Sequence, residues 1–293
     1  MFGGAVGGHP EEMRALEVSR GPYRIHAEVA DGDGAPIVLL HGFPDSTHLY
    51  DRLVPRLVGR RPVVRFDFLG WGESDKPAGY PYTADNQGGD LAAVIAALDR
   101  DGVGERRLVL VAHDASGPPA IDWALAHPDR VAGLVLLNTY YQWTPSLRRP
   151  PAIALFSTPV VRSVARAIVR RRPDLDRRIY SWQVGRFMTD ASARQEYVDR
   201  LYEQFPAAQP AFWRLNDDLL GAVWVRRRRV PEMRRFEPPV HVVFGARDRA
   251  LNPRVAATFA ALFPHSDLRL LPDAGHYVQV DAPDRVAEAV LAS

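Results

Sequence analysis

Cysteine is absent from the 293 residues. Its absence excludes disulfides and thiolate metal sites and leaves the redox compartment without a signature. Long apolar runs are missing too. Nothing approaches the roughly 20 residues that span a bilayer, and the glycine-rich start, Met1 to Gly8, has neither the charged nor the apolar region of a signal peptide. A cytoplasmic protein without an integral membrane segment is expected. Lysine is scarce, so nearly all cations are arginine, and a pI near 9.0 coexists with a formal net charge of only +2. The arginines cluster at Arg170-Arg171-Arg172, Arg177-Arg178 and Arg226-Arg227-Arg228-Arg229. No recognition motif accompanies them, so solvated helical faces are expected and no nucleic-acid partner. No repeat, low-complexity tract or metal-ligand cluster stands out, and no pattern specifies an oligomer.

The chain is long enough, at 46% hydrophobic content, for one large α/β domain plus an insertion. Leu16 to Ser19 and Tyr23 to Ala30 read as antiparallel edge strands around a Gly21-Pro22 turn. Ile37 to Leu40, Val63 to Phe66, Leu108 to Val111 and Gly133 to Leu137 are short apolar runs of the kind covered on both faces, with helical periodicity at Leu91 to Leu98. His241 to Phe244 and Leu268 to Leu271 resume the pattern, and Val286 to Leu291 closes as a helix. The eight strands predict a mostly parallel sheet flanked by helices. Residues 1–138 and 237–293 form the core, and an arginine-rich helical cap, 139–236, interrupts it.

Leu108 to Val111 turns into a predicted helix through Ala112-His113-Asp114-Ala115-Ser116-Gly117. That stretch has the small-x-nucleophile-x-small outline of a nucleophile elbow, with aspartate at its centre. A carboxylate is a poor catalyst of ordinary ester hydrolysis but a competent nucleophile at a saturated carbon with a leaving group or strained ring. Ser116 fits the elbow worse, because Asp114 and Pro118 would then crowd the tight turn. As a bland alternative, Asp114 is placed to cap the helix that begins at Pro118 and Pro119. Two further residues follow in the order and at the strand ends that an acid and a base require: Asp248 in Gly245-Ala246-Arg247-Asp248, and His276 in Pro272-Asp273-Ala274-Gly275-His276. His41-Gly42-Phe43-Pro44-Asp45-Ser46 reads as an oxyanion loop, with Pro44 a position for a cis bond. The amides of Phe43 and Ala115 would aim at a developing oxyanion.

On these motifs, with Asp67-Phe68-Leu69-Gly70-Trp71-Gly72-Glu73-Ser74-Asp75-Lys76-Pro77, the chain resembles the aspartate-nucleophile branch of the α/β-hydrolases, which holds epoxide hydrolases and dehalogenases. The resemblance implies that Asp114 attacks carbon and that His276, oriented by Asp248, then activates water to cleave the ester. It implies a small apolar electrophile and water as reactants and no cofactor. Haloalkane dehalogenases place tryptophan after the nucleophile and asparagine or another donor after the loop glycine, and fluoroacetate dehalogenases place arginine beside the nucleophile. Ala115 and Phe43 supply none of these. Epoxide hydrolases share His-Gly-Phe-Pro and add two cap tyrosines. Tyr140, Tyr141, Tyr180, Tyr197 and Tyr202 are available here without the usual spacing, and Ala211-Phe212-Trp213-Arg214 carries tryptophan where the second tyrosine is expected. His41, Pro44, Asn138, Tyr140, Tyr141 and Trp213 are therefore the candidates for touching substrate or leaving group, with orienting the triad as a second role for Asn138. Epoxide opening to a vicinal diol is the leading expectation. Carbon–halogen hydrolysis is the alternative, and a binding-only protein is a third.

Overall fold

A central sheet of buried strands organises the computed structural model, which describes residues 13–103, 107–217 and 219–293. The start, Met1 to Gly8, lies outside the described residues. In chain order the strands are β1 (Arg14–Ala15), β2 (Val18–Arg20), β3 (Tyr23–Ile25), β4 (Ala27–Ala30), β5 (Ile37–Leu40), β6 (Val63–Phe66), β7 (Leu108–Asp114), β8 (Val131–Thr139), β9 (Val240–Gly245) and β10 (Ser266–Leu271). Eight of them form one sheet in the order β1-β4-β6-β5-β7-β8-β9-β10, and β2 and β3 form a separate hairpin. The β1/β4 and β4/β6 pairs are antiparallel, and the strands from β6 to β10 pair in parallel.

The mostly parallel eight-stranded sheet expected from the apolar runs is the one observed. The opening differs. Four short strands replace the two expected: β1 adds an edge to β4, and the second expected strand divides at His26, whose amide donates to Ser74 Oγ and whose carbonyl accepts from the Asp67 amide. Gly21, at φ +61°, makes the hairpin turn that a β-carbon would strain.

The helices are α1 (Val54–Leu57), α2 (Ala84–Asp101), α3 (Gly117–Ala126), α4 (Pro151–Ser157), α5 (Val161–Arg171), α6 (Pro173–Gly185), α7 (Ala191–Asp217), α8 (Leu219–Arg226), α9 (Val230–Met233), α10 (Pro253–Ala260), α11 (Val278–Asp281) and α12 (Pro283–Leu291). Local chemistry sets their ends. Thr83 caps α2 by accepting from the Asn86 amide, and left-handed Gly102 ends it. Pro118 and Pro119 sit in the first turn of α3, where a missing amide proton removes no helical bond. No single helix among the described residues is long and apolar enough to cross a membrane.

Helices α4 to α9 form an insertion between β8 and β9. The last arginine run was expected to be a solvated face, but Arg226 is buried. Its guanidinium pairs with Asp122 of α3 at 2.7 Å, and Arg229 holds the other Asp122 oxygen at 2.7 Å. Part of the basic excess is thus spent inside, pinning the insertion to the core. Because β6 lies on one side of β5 and β7 on the other, the chain reverses direction across the sheet between β5 and β7. The crevice at the carboxyl ends of these two strands is where open α/β sheets bind ligands.

Candidate active site

Asp114 ends β7 at φ +49°, a left-handed conformation that aspartate tolerates better than most side chains. Three neighbours lock the turn. The Thr139 hydroxyl donates to the Asp114 carbonyl, and Ser116 Oγ accepts from the His113 amide at 2.9 Å while lying 2.8 Å from the Leu40 carbonyl, to which it can donate. Ser116 is fully buried in this clamp and does not line the cavity. Asp114 does not cap α3 either; Ser116 occupies the cap position. The Asp114 carboxylate instead accepts from the Phe43 amide at 3.3 Å and from the Ala115 amide. Burial pushes its pKa up, against the pull of His276 and of these two amides.

His276 Nε2 lies 3.8 Å from Asp114 Oδ1, and His276 Nδ1 lies 2.7 Å from Asp248 Oδ2. Asp248 is fully satisfied, since its other oxygen accepts from the Ala250 and Leu251 amides at 2.8 and 3.1 Å. Burial alone would raise its pKa, but the His276 charge and these donors more than offset that and hold it below the usual carboxylate range. Burial lowers His276, whereas Asp248, Asp114 and Asp45 raise it, to about 9. The Phe187 carbonyl, between α6 and α7, accepts the His276 amide at 3.0 Å, so the insertion also braces the histidine loop.

The cavity over Asp114 is walled mainly by Phe156, Tyr180, Val184, Phe187, Phe205 and Phe212, with Phe43, Pro44, Ala115 and Tyr140 beside the carboxylate. The Phe43-Pro44 bond is cis. Of the sequence candidates, Pro44 and Tyr140 reach this cavity. Burial and the Asp114 charge push the Tyr140 hydroxyl pKa upward, which keeps it a proton-bearing donor.

Four candidates are placed elsewhere. His41 is fully buried: Nδ1 donates to the Gly42 carbonyl at 2.7 Å and Nε2 accepts from the Phe68 amide at 3.2 Å, so it holds two loops together. Asn138 sits in a β-bulge, where Asp114 pairs with Thr139 and His113 with Leu137. Its Nδ2 donates to Asp248 at 2.9 Å and its Oδ1 accepts from the Gly245 amide at 2.8 Å, so it orients the acid while buried outside the cavity lining. Tyr141 donates to Asp122 at 2.6 Å, away from the cavity. Trp213 stacks under Arg166 and Arg170, 5.5 and 5.7 Å from its ring centre, while its neighbour Phe212 faces the cavity.

Tyr180, one of several equivalent tyrosines in the sequence, lines the cavity and donates to the Pro44 carbonyl at 3.1 Å. Asp45 and Tyr277 were missed as site residues. Both are buried beside the triad residues, and their only local signal is adjacency to Pro44 and His276.

Comparison with known proteins agrees with this geometry. A family model described as the alpha/beta hydrolase fold matches residues 35–283. The chain is similar to haloalkane dehalogenase 2 of Mycobacterium tuberculosis, 31% identical over 97% of this chain and 95% of that one. It is also similar to a cis-3-alkyl-4-alkyloxetan-2-one decarboxylase of Shewanella oneidensis, 26% identical over 92% and 84% of the two chains. Among solved structures, a 2-hydroxy-6-oxo-6-phenylhexa-2,4-dienoate hydrolase from Rhodococcus superposes with a TM-score of 0.77 at 18% identity, covering 96% of this chain and 98% of that one. A sheet reversed between β5 and β7, an aspartate at the elbow and a family match across residues 35–283 converge on one conclusion: the chain belongs to the α/β-hydrolase family.

Proposed function

We propose that this hydrolase acts through a covalent alkyl ester on Asp114, with residues 139–236 as the cap that encloses its substrate. The observation that carries the reading is the Asp114 carboxylate, held at the elbow between the Phe43 amide and His276 Nε2. In the first step an Asp114 oxygen attacks carbon and the leaving group departs with the bond's electron pair. In the second, His276 takes a proton from water, the hydroxide adds to the ester carbonyl, and the amides of Phe43 and Ala115 stabilise the oxyanion until Asp114 is released. Asp248 and Asn138 hold the imidazole in place.

The leaving group decides the substrate. Ala115 and Phe43 bring no side-chain N–H to hold a halide, whereas the hydroxyl-bearing Tyr140 lines the cavity, and Tyr180 lines it with its hydroxyl turned to the Pro44 carbonyl. An opened epoxide oxygen takes hydrogen bonds from hydroxyls, so epoxide hydrolysis to a vicinal diol is the favoured reaction. Carbon–halogen hydrolysis is the second reading, favoured by the 31% identity to a haloalkane dehalogenase. Intact and peptide mass spectrometry of His276→Gln protein, incubated separately with epoxides and with primary alkyl halides, tests both. An adduct on Asp114 from epoxides alone is expected; one from halides alone makes the protein a dehalogenase. No adduct from either, in folded protein, overturns the covalent mechanism for these substrates and favours a cavity that only binds.

A further inference from the structure

Beneath Asp114, two buried acceptor atoms face each other. His113 Nε2 lies 3.1 Å from the His276 carbonyl, which can only accept, so Nε2 carries the proton. Burial and the neighbouring His276 charge hold His113 well below its usual pKa, so the ring is neutral and its Nδ1 is a bare lone pair. Nδ1 lies 3.9 Å from Asp45 Oδ2, and neither atom has a hydrogen-bond partner. The space is tight: a β-carbon on Gly42 would stand 2.7 Å from Asp114 Cβ, 2.8 Å from His113 Nδ1 and 3.1 Å from Asp45 Oδ2. A buried carboxylate oxygen with no donor, beside a bare lone pair and a second carboxyl, is costly to ionise, whereas a protonated carboxyl there is neutral.

The other groups around Asp45 are Asp114, His276, Tyr277, Tyr50 and Tyr180. Tyr277 donates to Asp45 Oδ1 at 3.4 Å, and Tyr180 donates to the adjoining Pro44 carbonyl. Asp114 is the negative charge that most opposes ionisation of Asp45, after burial itself.

We infer that Asp45 is a positioning acid coupled to Asp114: it holds a proton while Asp114 is a carboxylate, and loses it to water when Asp114 becomes an ester. The ester part rests on the proposed function; the coupling of the two carboxyls does not. Formation of the Asp114–carbon bond removes one negative charge from beside His276, and ionisation of Asp45 restores one, so the net charge facing the imidazole stays constant through the cycle. The protons balance. The one Asp45 gives up passes through water to the opened ring oxygen, and hydrolysis of the ester returns one through His276 when the Asp114 carboxylate reforms.

The test needs no substrate, because Asp114→Asn is a neutral stand-in for the ester. Infrared titration from about pH 5 to about pH 9 follows the protonated carboxyl band, assigned by its loss in Asp45→Asn. In the wild type the band titrates with a midpoint near 7, and in Asp114→Asn the midpoint falls by about one unit or more. Equal midpoints, or no protonated Asp45 in the wild type at neutral pH, overturn the inference. Should Asp45→Asn fail to fold, a displaced midpoint in Asp45→Glu gives the same assignment. A shift in Asp114→Asn together with no adduct in His276→Gln leaves the coupling standing and removes only the ester. Where adducts form, their hydrolysis separates positioning from mere structure: Asp45→Asn follows the wild type at acid pH, where both are neutral, and diverges above neutrality, with Asp45→Glu restoring the wild-type profile.

Discussion

Asp45 and His276 set opposite demands on the same few cubic ångströms, and pH-dependent stability reads them out. Asp45 has its pKa raised from 3.8 to about 7 in the fold, first by burial and then by Asp114. Its favourable contribution is therefore complete below the unfolded value and is lost as pH rises through 7. Asp45→Asn is expected to match the wild type near pH 4 and to become more stable above pH 7, by up to about 4 kcal/mol; parallel melting curves would contradict the burial of an acid there. His276 is raised from 6.5 to about 9, so the stability it brings is present below about 6.5 and declines through 9, and His276→Gln should lose most, relative to wild type, on the acid side. Asn138→Ala strips Asp248 and the Gly245 amide of buried partners. It should cost about 1–3 kcal/mol in denaturant unfolding and slow turnover. Asp114, Asp248 and His276 were legible in the chain because each follows an apolar run, and strand ends are where such a sheet presents side chains. Asp45 was not, since its meaning lies in a lone pair on His113 that no local pattern encodes.

At the scale of elements, the strands could be read from sequence because burial on both faces writes a continuous apolar run, as in Leu108 to Val111, whose side chains are all fully buried. The insertion could be read only as helical. Successive residues on a helix point about 100° apart, so Phe212 and Trp213 cannot both enter the cavity, and the sequence does not say which does. Pro206 and Pro210 inside α7 blur its periodicity further. Asn138 escaped a definite assignment for another reason: the bulge in β8 re-aims its side chain toward Asp248, and a bulge leaves no apolar signature. Helix ends are more local. Thr83→Ala removes the α2 cap and should lower stability in denaturant unfolding by about 1 kcal/mol.

Across the whole molecule, the insertion and the sheet are joined by charge as well as by apolar contact. Asp122 accepts from Arg226, Arg229 and Tyr141 at once, so the end of the insertion is tied to the helix that follows the elbow. Arg226→Met leaves Asp122 to Arg229 and Tyr141 but removes its most buried partner, and is expected to cost about 2 kcal/mol, with the insertion becoming the first segment cut in limited proteolysis. Strengthening of the same contact at low salt is not expected, because the Arg226 side chain is only 9% exposed and screening acts on solvated charges. The elbow carries a consequence of another kind. Asparagine accepts the +49° backbone of Asp114 as readily as aspartate does, so replacing one oxygen by an amide preserves the turn, the walls and the bracing of the histidine loop. On the proposed mechanism, a walled cavity that no longer reacts would retain its guest and become a carrier, and the step from reagent to receptor would be a single side-chain atom.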